Sequence, residues 1–287
     1  MAAQPAKRFG EHLITACVCV LLLACWSHTA SAQMFRNIYI FDPPGDREEL
    51  DEFYVSMHVM SAFLNSGPSL RRHWTFRAFE VPEEADVFNV ARYRMTEMWY
   101  GSREEWEEQR GYSMGFSGAG DWPKPKPGDP EGGPRAGIAT SPAPTRVFMD
   151  TRPRLREIPY LRWLIVMRYP EDIPVEQGDD WYMNTHGPEL AKLPGLLRFV
   201  TYDAFPGPQP MSRWTKRPWV RLSELWFENY SAWRAAILES PPDLTPPPWG
   251  GEFPFVEMVS TFVPHLPDVD VLHPPLKPPT SGAPKLE

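Results

Sequence analysis

The chain has 287 residues, with 29 lysines and arginines against 37 aspartates and glutamates and a formal net charge of −8. That length allows one large domain or two small ones, each able to bury its own core. The acidic balance, with no clustered basic face, excludes nucleic acid as a natural partner, because phosphate binding needs positive charge gathered on one surface.

Residues 1–32 read as a secretory signal peptide. Lys7 and Arg8 precede an apolar run from Leu13 to Cys25, and Ala30-Ser31-Ala32 offers a small-residue cleavage site. The run is too short to span a bilayer comfortably. The expectation is a secreted or periplasmic protein with no membrane span after processing. Leu22-Leu23-Ala24-Cys25 also resembles a lipoprotein processing site, which makes anchoring at Cys25 the alternative. All three cysteines, Cys17, Cys19 and Cys25, fall in this segment. Cleavage after Ala32 therefore removes disulfides, thiolate catalysis and cysteine metal sites from the mature chain.

A first domain over 33–153 opens with a strand at 37–41. Asp46 and Glu49 form a capping box for a helix on which Leu50, Phe53, Tyr54, Met57, Met60 and Leu64 recur at helical spacing. Strands follow at 71–80 and 90–100, then a short helix from Ser102. The insertion 113–144 carries seven prolines from Pro123 to Pro144 and reads as a polar, extended loop. "TRVFMD" (145–150) is then the closing strand of this domain. A second domain over 154–264 repeats the order, with strands at 160–169, 196–205, 218–227 and 255–263 and helices at 175–186 and 229–239. The proline-rich tail 265–287 is expected outside the core.

The two halves share more than element order. "PSLRRHWTFRAF" (68–79) matches "PGLLRFVTYDAF" (194–205) at six of twelve positions. "TEMWYGSREEW" from Thr96 matches "SELWFENYSAW" from Ser223, and "FYVSMH" ending at His58 matches "WYMNTH" ending at His186. The offsets of 126 to 128 residues are the size of a whole small domain. The predicted class is α+β: two fused ferredoxin-like βαββαβ domains, each with both helices on one face of an antiparallel sheet. Covering the two bare faces with each other would close an intramolecular dimeric α/β barrel around a cavity.

"HGPELAKLPGLLRF" (186–199) followed by "SELWFENYSAWRAAI" (223–237) resembles the EthD-like family of the dimeric α/β-barrel superfamily, over about a hundred residues of the second half. His58 is followed by Val59 and Met60 rather than Gly-Pro, so the first half departs from the pattern. The resemblance implies a cavity for a small apolar or aromatic ligand. Related barrels include decarboxylases, dehydratases, isomerases, monooxygenases and haem enzymes, so the fold does not choose the reaction.

His186 and its counterpart His58 are the candidate acid/base groups, since imidazole both accepts and donates a proton near neutrality. Read structurally, His186 is a helix-end residue before a proline stop. Strand alternation places Glu97 and Glu224 among large apolar neighbours, where a carboxylate has a raised pKa unless it is paired. Glu224 is the expected partner of His186, and Arg72 and Arg198 are the matched bases that would satisfy the two acids instead. Tyr54 and Tyr182 lie four residues before the histidines and share their helix face. No metal-ligand cluster, Cys-x-x-Cys-His or phosphate-binding glycine loop is present. No cofactor is therefore expected, although a non-covalent haem on one histidine stays open. "GYSMG" (111–115) matches a nucleophile elbow at Ser113, but it follows a helix where a strand is needed. The resulting expectation is a cofactor-independent lyase or isomerase acting on a small apolar or aromatic compound. The alternatives are a periplasmic protein that binds hydrophobic ligands without changing them, or a haem-binding or oxidative enzyme. Oligomeric state is not readable from these features.

Overall fold

The computed structural model describes residues 34–43, 45–59, 69–113, 134–151, 159–207, 209–210, 217–239 and 243–272, all within one unit, Met34–Glu287. Residues 1–32, helix positions Met60 and Leu64, Met114-Gly115 of "GYSMG" and the tail from His273 lie outside the described residues.

In chain order, β1 (Phe35–Phe41) is followed by α1 (Arg47–Phe53), which runs on into a π-helical turn (Tyr54–His58). β2 (Leu70–Arg77), a 3₁₀ turn (Glu83–Phe88), β3 (Val90–Ala91), β4 (Arg94–Tyr100), α2 (Arg103–Ser113), β5 (Pro134–Thr140) and β6 (Arg146–Asp150) come next. The second half contains β7 (Leu161–Arg168), α3 (Val175–Trp181), a second π-helical turn (Tyr182–His186), α4 (Gly187–Leu190), β8 (Leu196–Asp203) and β9 (Arg221–Phe227). It ends with α5 (Tyr230–Arg234), a third π turn (Ala235–Glu239), β10 (Glu257–Pro264) and β11 (Val269–Asp270).

The helix starts follow local chemistry. The Asp46 carboxylate accepts from the backbone N–H groups of Glu48 and Glu49, and Asn229 accepts from Ala232. Ser102 Oγ accepts from Glu105 N at the start of α2.

Two sheets result, ordered β11-β2-β4-β1-β5 and β3-β10-β7-β9-β8-β6. All pairings are antiparallel except β3 with β10. Four strands of each sheet, β5-β1-β4-β2 and β10-β7-β9-β8, have the order of a split βαβ unit. Alternation sorts the side chains. Ile38, Ile40, Phe76, Met95 and Ile138 of the first sheet share one buried core with Leu164, Val166, Val200, Leu222 and Val259 of the second. The opposite faces carry the helices. Trp163, Phe199, Leu225 and Trp233 pack there on the second sheet, and Leu50 and Tyr54 of the first helix pack with Phe41 and Tyr93 on the first.

Four expectations about this chain path need correction. The strand that closes the first sheet beside β1 is β5, inside the proline-rich stretch 113–144. Ala136, Ile138 and Thr140 alternate toward the shared core there, and only its first residue is a proline, so a composition average conceals it. Residues 146–150 instead extend the second sheet, as β6 along β8. The stretch 90–100 is not one strand. Asn89 takes a left-handed φ of 49°, β3 joins the second sheet through Val90 and Ala91, and β4 starts afresh at Arg94. Finally, residues 265–272 are not outside the core: His265 is buried, and β11 pairs with β2, carrying the chain from the second sheet back to the first.

Candidate functional site

On the helical face of the second sheet, α3 and its π turn present Trp181, Tyr182 and His186. The His186 ring stacks on Trp181 with centroids 4.5 Å apart and an angle of 25°. Tyr182 lies at 5.4 Å, and Phe255 and Phe253 close the other sides at 6.1 and 6.4 Å. The imidazole is buried, and its Nδ1 has no hydrogen-bond partner. Burial pushes its pKa down to about 4, against a small opposing pull from Glu189, so it is neutral at physiological pH. An open pocket of about 380 Å³ adjoins this aromatic box, lined by Trp249, Pro254, Phe255, Pro170 and Asp172 among others. Trp249 and Phe255 both pack on Trp181, so they belong to the pocket and the box together.

Beneath the box lies a polar cluster. Tyr182 and Ser223 share a hydroxyl hydrogen bond of 2.7 Å. The Arg221 guanidinium sits 5.1 Å from the Tyr182 ring centre, 2.7 Å from Asp179 and 2.7 Å from Asp203. Tyr169 donates to Asp179 at 2.7 Å. The helical face of the first sheet carries the matching set. Tyr54 bonds Thr96, and Arg94 sits 4.9 Å from the Tyr54 ring centre and 3.1 Å from Asp51. Burial raises the pKa of both tyrosines to about 12, so both are phenols, not phenolates. Asp51 and Asp179, Arg94 and Arg221, and Thr96 and Ser223 are the residues that reading the sequence misses. Their offsets of 127 and 128 residues were available as a signal.

The tyrosine and histidine on each helix do come together, with Tyr54 and His58 stacked at 5.3 Å. His58 is half-buried beside Phe41 and Phe53. Its neighbourhood is more polar than that of His186: buried His73 stands where the second sheet has Phe199, and its pKa is pushed down to about 4 by burial and by His58.

The expected partnership of His186 with Glu224 is not formed. Glu224 shares strand parity with Leu222, whose side chain lies between the sheets, whereas His186 is on the helical face with Leu225 and Phe227. Both glutamates instead meet buried arginines in the inter-sheet core. Arg36 Nη1 is 3.4 Å from Glu224 and 3.7 Å from Glu97, and Arg162 Nη2 is 3.2 Å and 4.0 Å from the same pair. Burial alone would raise the Glu224 pKa, but Arg162 and Arg36 outweigh it and hold the carboxyl below its usual range. The matched bases Arg72 and Arg198 are therefore not the direct partners of these acids.

Neither a protein-family model nor a curated protein matches this chain. Among solved structures it is similar to an anthrone oxidase-like protein at 12% identity, over 82% of this chain and 92% of that one, with a TM-score of 0.48. It is also similar to a mutant chlorite dismutase from Candidatus Nitrospira defluvii at 8% identity, over 80% and 91% of the two chains, with a TM-score of 0.42. A likeness of this degree concerns the path of the chain and assigns no chemistry.

Haem does not fit around His186. The ring has Trp181 stacked on it and Phe253 and Phe255 beside it, and its unpartnered nitrogen is buried among them, which leaves no slot for a macrocycle. Among the described residues, no three histidine, cysteine or acidic side chains gather as a metal site. No described helix is long and apolar enough to cross a membrane.

Proposed function

We propose that this chain is an exported tandem of two ferredoxin-like units, closed face to face into an intramolecular barrel of the EthD-like kind, that binds a small apolar or aromatic compound. The common order of the four matched strands in each sheet and the shared inter-sheet core support the tandem reading. The leader at 1–32 supports export.

The observation that carries the binding reading is the His186 box. A neutral imidazole with an unpartnered, buried Nδ1 stands among four aromatic rings beside a pocket. A buried polar atom left unsatisfied costs about 1–3 kcal/mol, and a ligand bearing one hydrogen-bond donor on an apolar body would relieve that cost. The phenylalanines at 253 and 255 would move aside to admit it, with Trp181 as the stacking floor. Native mass spectrometry of the purified protein should show a retained small aromatic compound, and the His186→Phe variant should lose it. Equal retention by that variant would remove the assignment.

A second reading keeps the same site and adds chemistry: a cofactor-independent lyase or isomerase in which His186 takes a proton from the bound compound. The unpartnered Nδ1 favours it. The distance of Glu224 from the site and the low basicity of a buried imidazole weigh against it, which puts binding first.

A further inference from the structure

We infer that the end of the inter-sheet space ringed by Arg72, Trp99, Trp226 and Arg198 is a binding site for the carboxylate of a small organic acid. The inference is independent of the His186 box, which lies on the other face of the second sheet.

Strand register sets up the site. In the first sheet Arg72, Trp99 and Arg36 stand side by side on β2, β4 and β1. In the second, Arg198, Trp226 and Arg162 stand side by side on β8, β9 and β7. All six positions share parity with inter-sheet core residues, so two Arg-Trp-Arg rows face each other. The contact of Arg36 with Glu224 shows that the rows meet.

Among the described residues, four guanidinium groups meet Glu97 and Glu224 inside and Asp150, 3.7 Å from Arg198, at the rim. Among the described residues that leaves one positive charge over. Arg72 is the group with no carboxylate among the described residues. Its Cζ lies 3.9 Å from the Trp74 ring centre and 4.0 Å from the Trp99 ring centre. Stacking on indole leaves its in-plane N–H edge to take a partner, and that edge matches a planar carboxylate in two parallel hydrogen bonds. Deeper in, Arg36 Nη2 and Arg162 Nε are buried donors with no hydrogen-bond partner. The rim residues are half-buried, so each keeps part of its surface at solvent, and the indoles add apolar surface beside the organic body of a ligand.

Isothermal titration calorimetry on the full protein with benzoate tests this, with benzamide as the neutral twin and inorganic phosphate as the other anion. Benzoate should bind saturably with one-to-one stoichiometry, and benzamide and phosphate should not. Arg72→Gln should weaken benzoate at least about tenfold, and Arg72→Lys should not restore it, because the fork and the stack are both lost. Arg198→Gln, with circular dichroism unchanged from wild type, should weaken it as well. The assignment fails if benzoate gives no saturable heat, if benzamide binds equally, or if phosphate binds in its place. It also fails if both glutamine variants bind like wild type, or if His186→Phe abolishes benzoate binding while Arg72→Gln keeps it.

Discussion

His186 and Glu224 lie on opposite faces of the second sheet, one in an aromatic box under the helix and the other in an arginine-lined core between the sheets. The two residues therefore belong to different parts of the fold, and substitutions at them should separate. Changes at His186 should alter ligand retention with modest effect on folding, and changes at Glu224 should do the reverse.

For Glu224 the expected effect is large. Glu224→Gln leaves Arg36 and Arg162 sharing only Glu97, in a region with almost no solvent access. Removing one partner of a buried ionic network typically costs about 3–5 kcal/mol, because the remaining charge is stranded. Urea denaturation of the variant should show a correspondingly lower midpoint with an unchanged slope. A loss near zero would mean that water or a rearranged neighbour already serves these guanidinium groups.

Gly187, next to His186, has a packing reason. A Cβ at this position would stand 2.2 Å from the tip of the Phe148 ring on β6. Gly187→Ala should cost about 1–3 kcal/mol through overpacking and should push β6 away from the π turn. Thermal unfolding checks the first effect, and hydrogen exchange at 146–150 checks the second. A variant as stable as wild type, with unchanged exchange, would show that Phe148 can rotate clear.

Much of this architecture was visible in the residues. The short runs of β-branched and aromatic residues in "NIYIF" and "LRWLIVM" mark β1 and β7, and the Asp46 and Ser102 caps mark the helix starts. What was hidden had physical causes. β5 escaped because its apolar residues sit among prolines and glycines, and strand formation depends on alternation at a few positions, not on average composition. The π turns escaped because one extra residue in a helical turn leaves the apolar spacing nearly unchanged. The partners of Glu97 and Glu224 escaped because Arg36 and Arg162 are each the second residue of a strand remote in sequence from the acid they meet. Which strand lies next to which is a tertiary fact. In the same way Phe253 and Phe255, remote in sequence from "WYMNTH", complete the box only after the chain has folded.

The paired hydroxyls give a smaller, symmetrical test. Tyr182→Phe removes the bond to Ser223, but Ser223 keeps Thr201 at 3.0 Å. The expected loss is about 1 kcal/mol, with Arg221 still stacked on the ring. Tyr54→Phe should behave alike, because Thr96 occupies the position of Ser223. If only one of the two variants loses stability in urea, the clusters have diverged in strength despite their shared design.

Acid titration gives the last test, because the histidines and the buried carboxylate act in different windows. His186 and His73 are held neutral in the folded protein, with pKa values near 4 against 6.5 for an ordinary imidazole. Between those values the unfolded chain binds protons that the folded one refuses, so stability falls as the pH drops through 6.5 toward 4, by up to roughly 3 kcal/mol for each group. The Glu224 carboxyl is also held low, so its contribution is intact above its ordinary value of 4.5 and is lost only below it. Loss of stability between about pH 6.5 and pH 4.5 therefore belongs to the histidines. The melting temperature should decline across that interval in the wild type, less steeply in His186→Phe, and least in the double variant with His73→Phe. A flat profile in the wild type would mean that both imidazoles can be charged without unfolding, and the closed aromatic box would have to be given up.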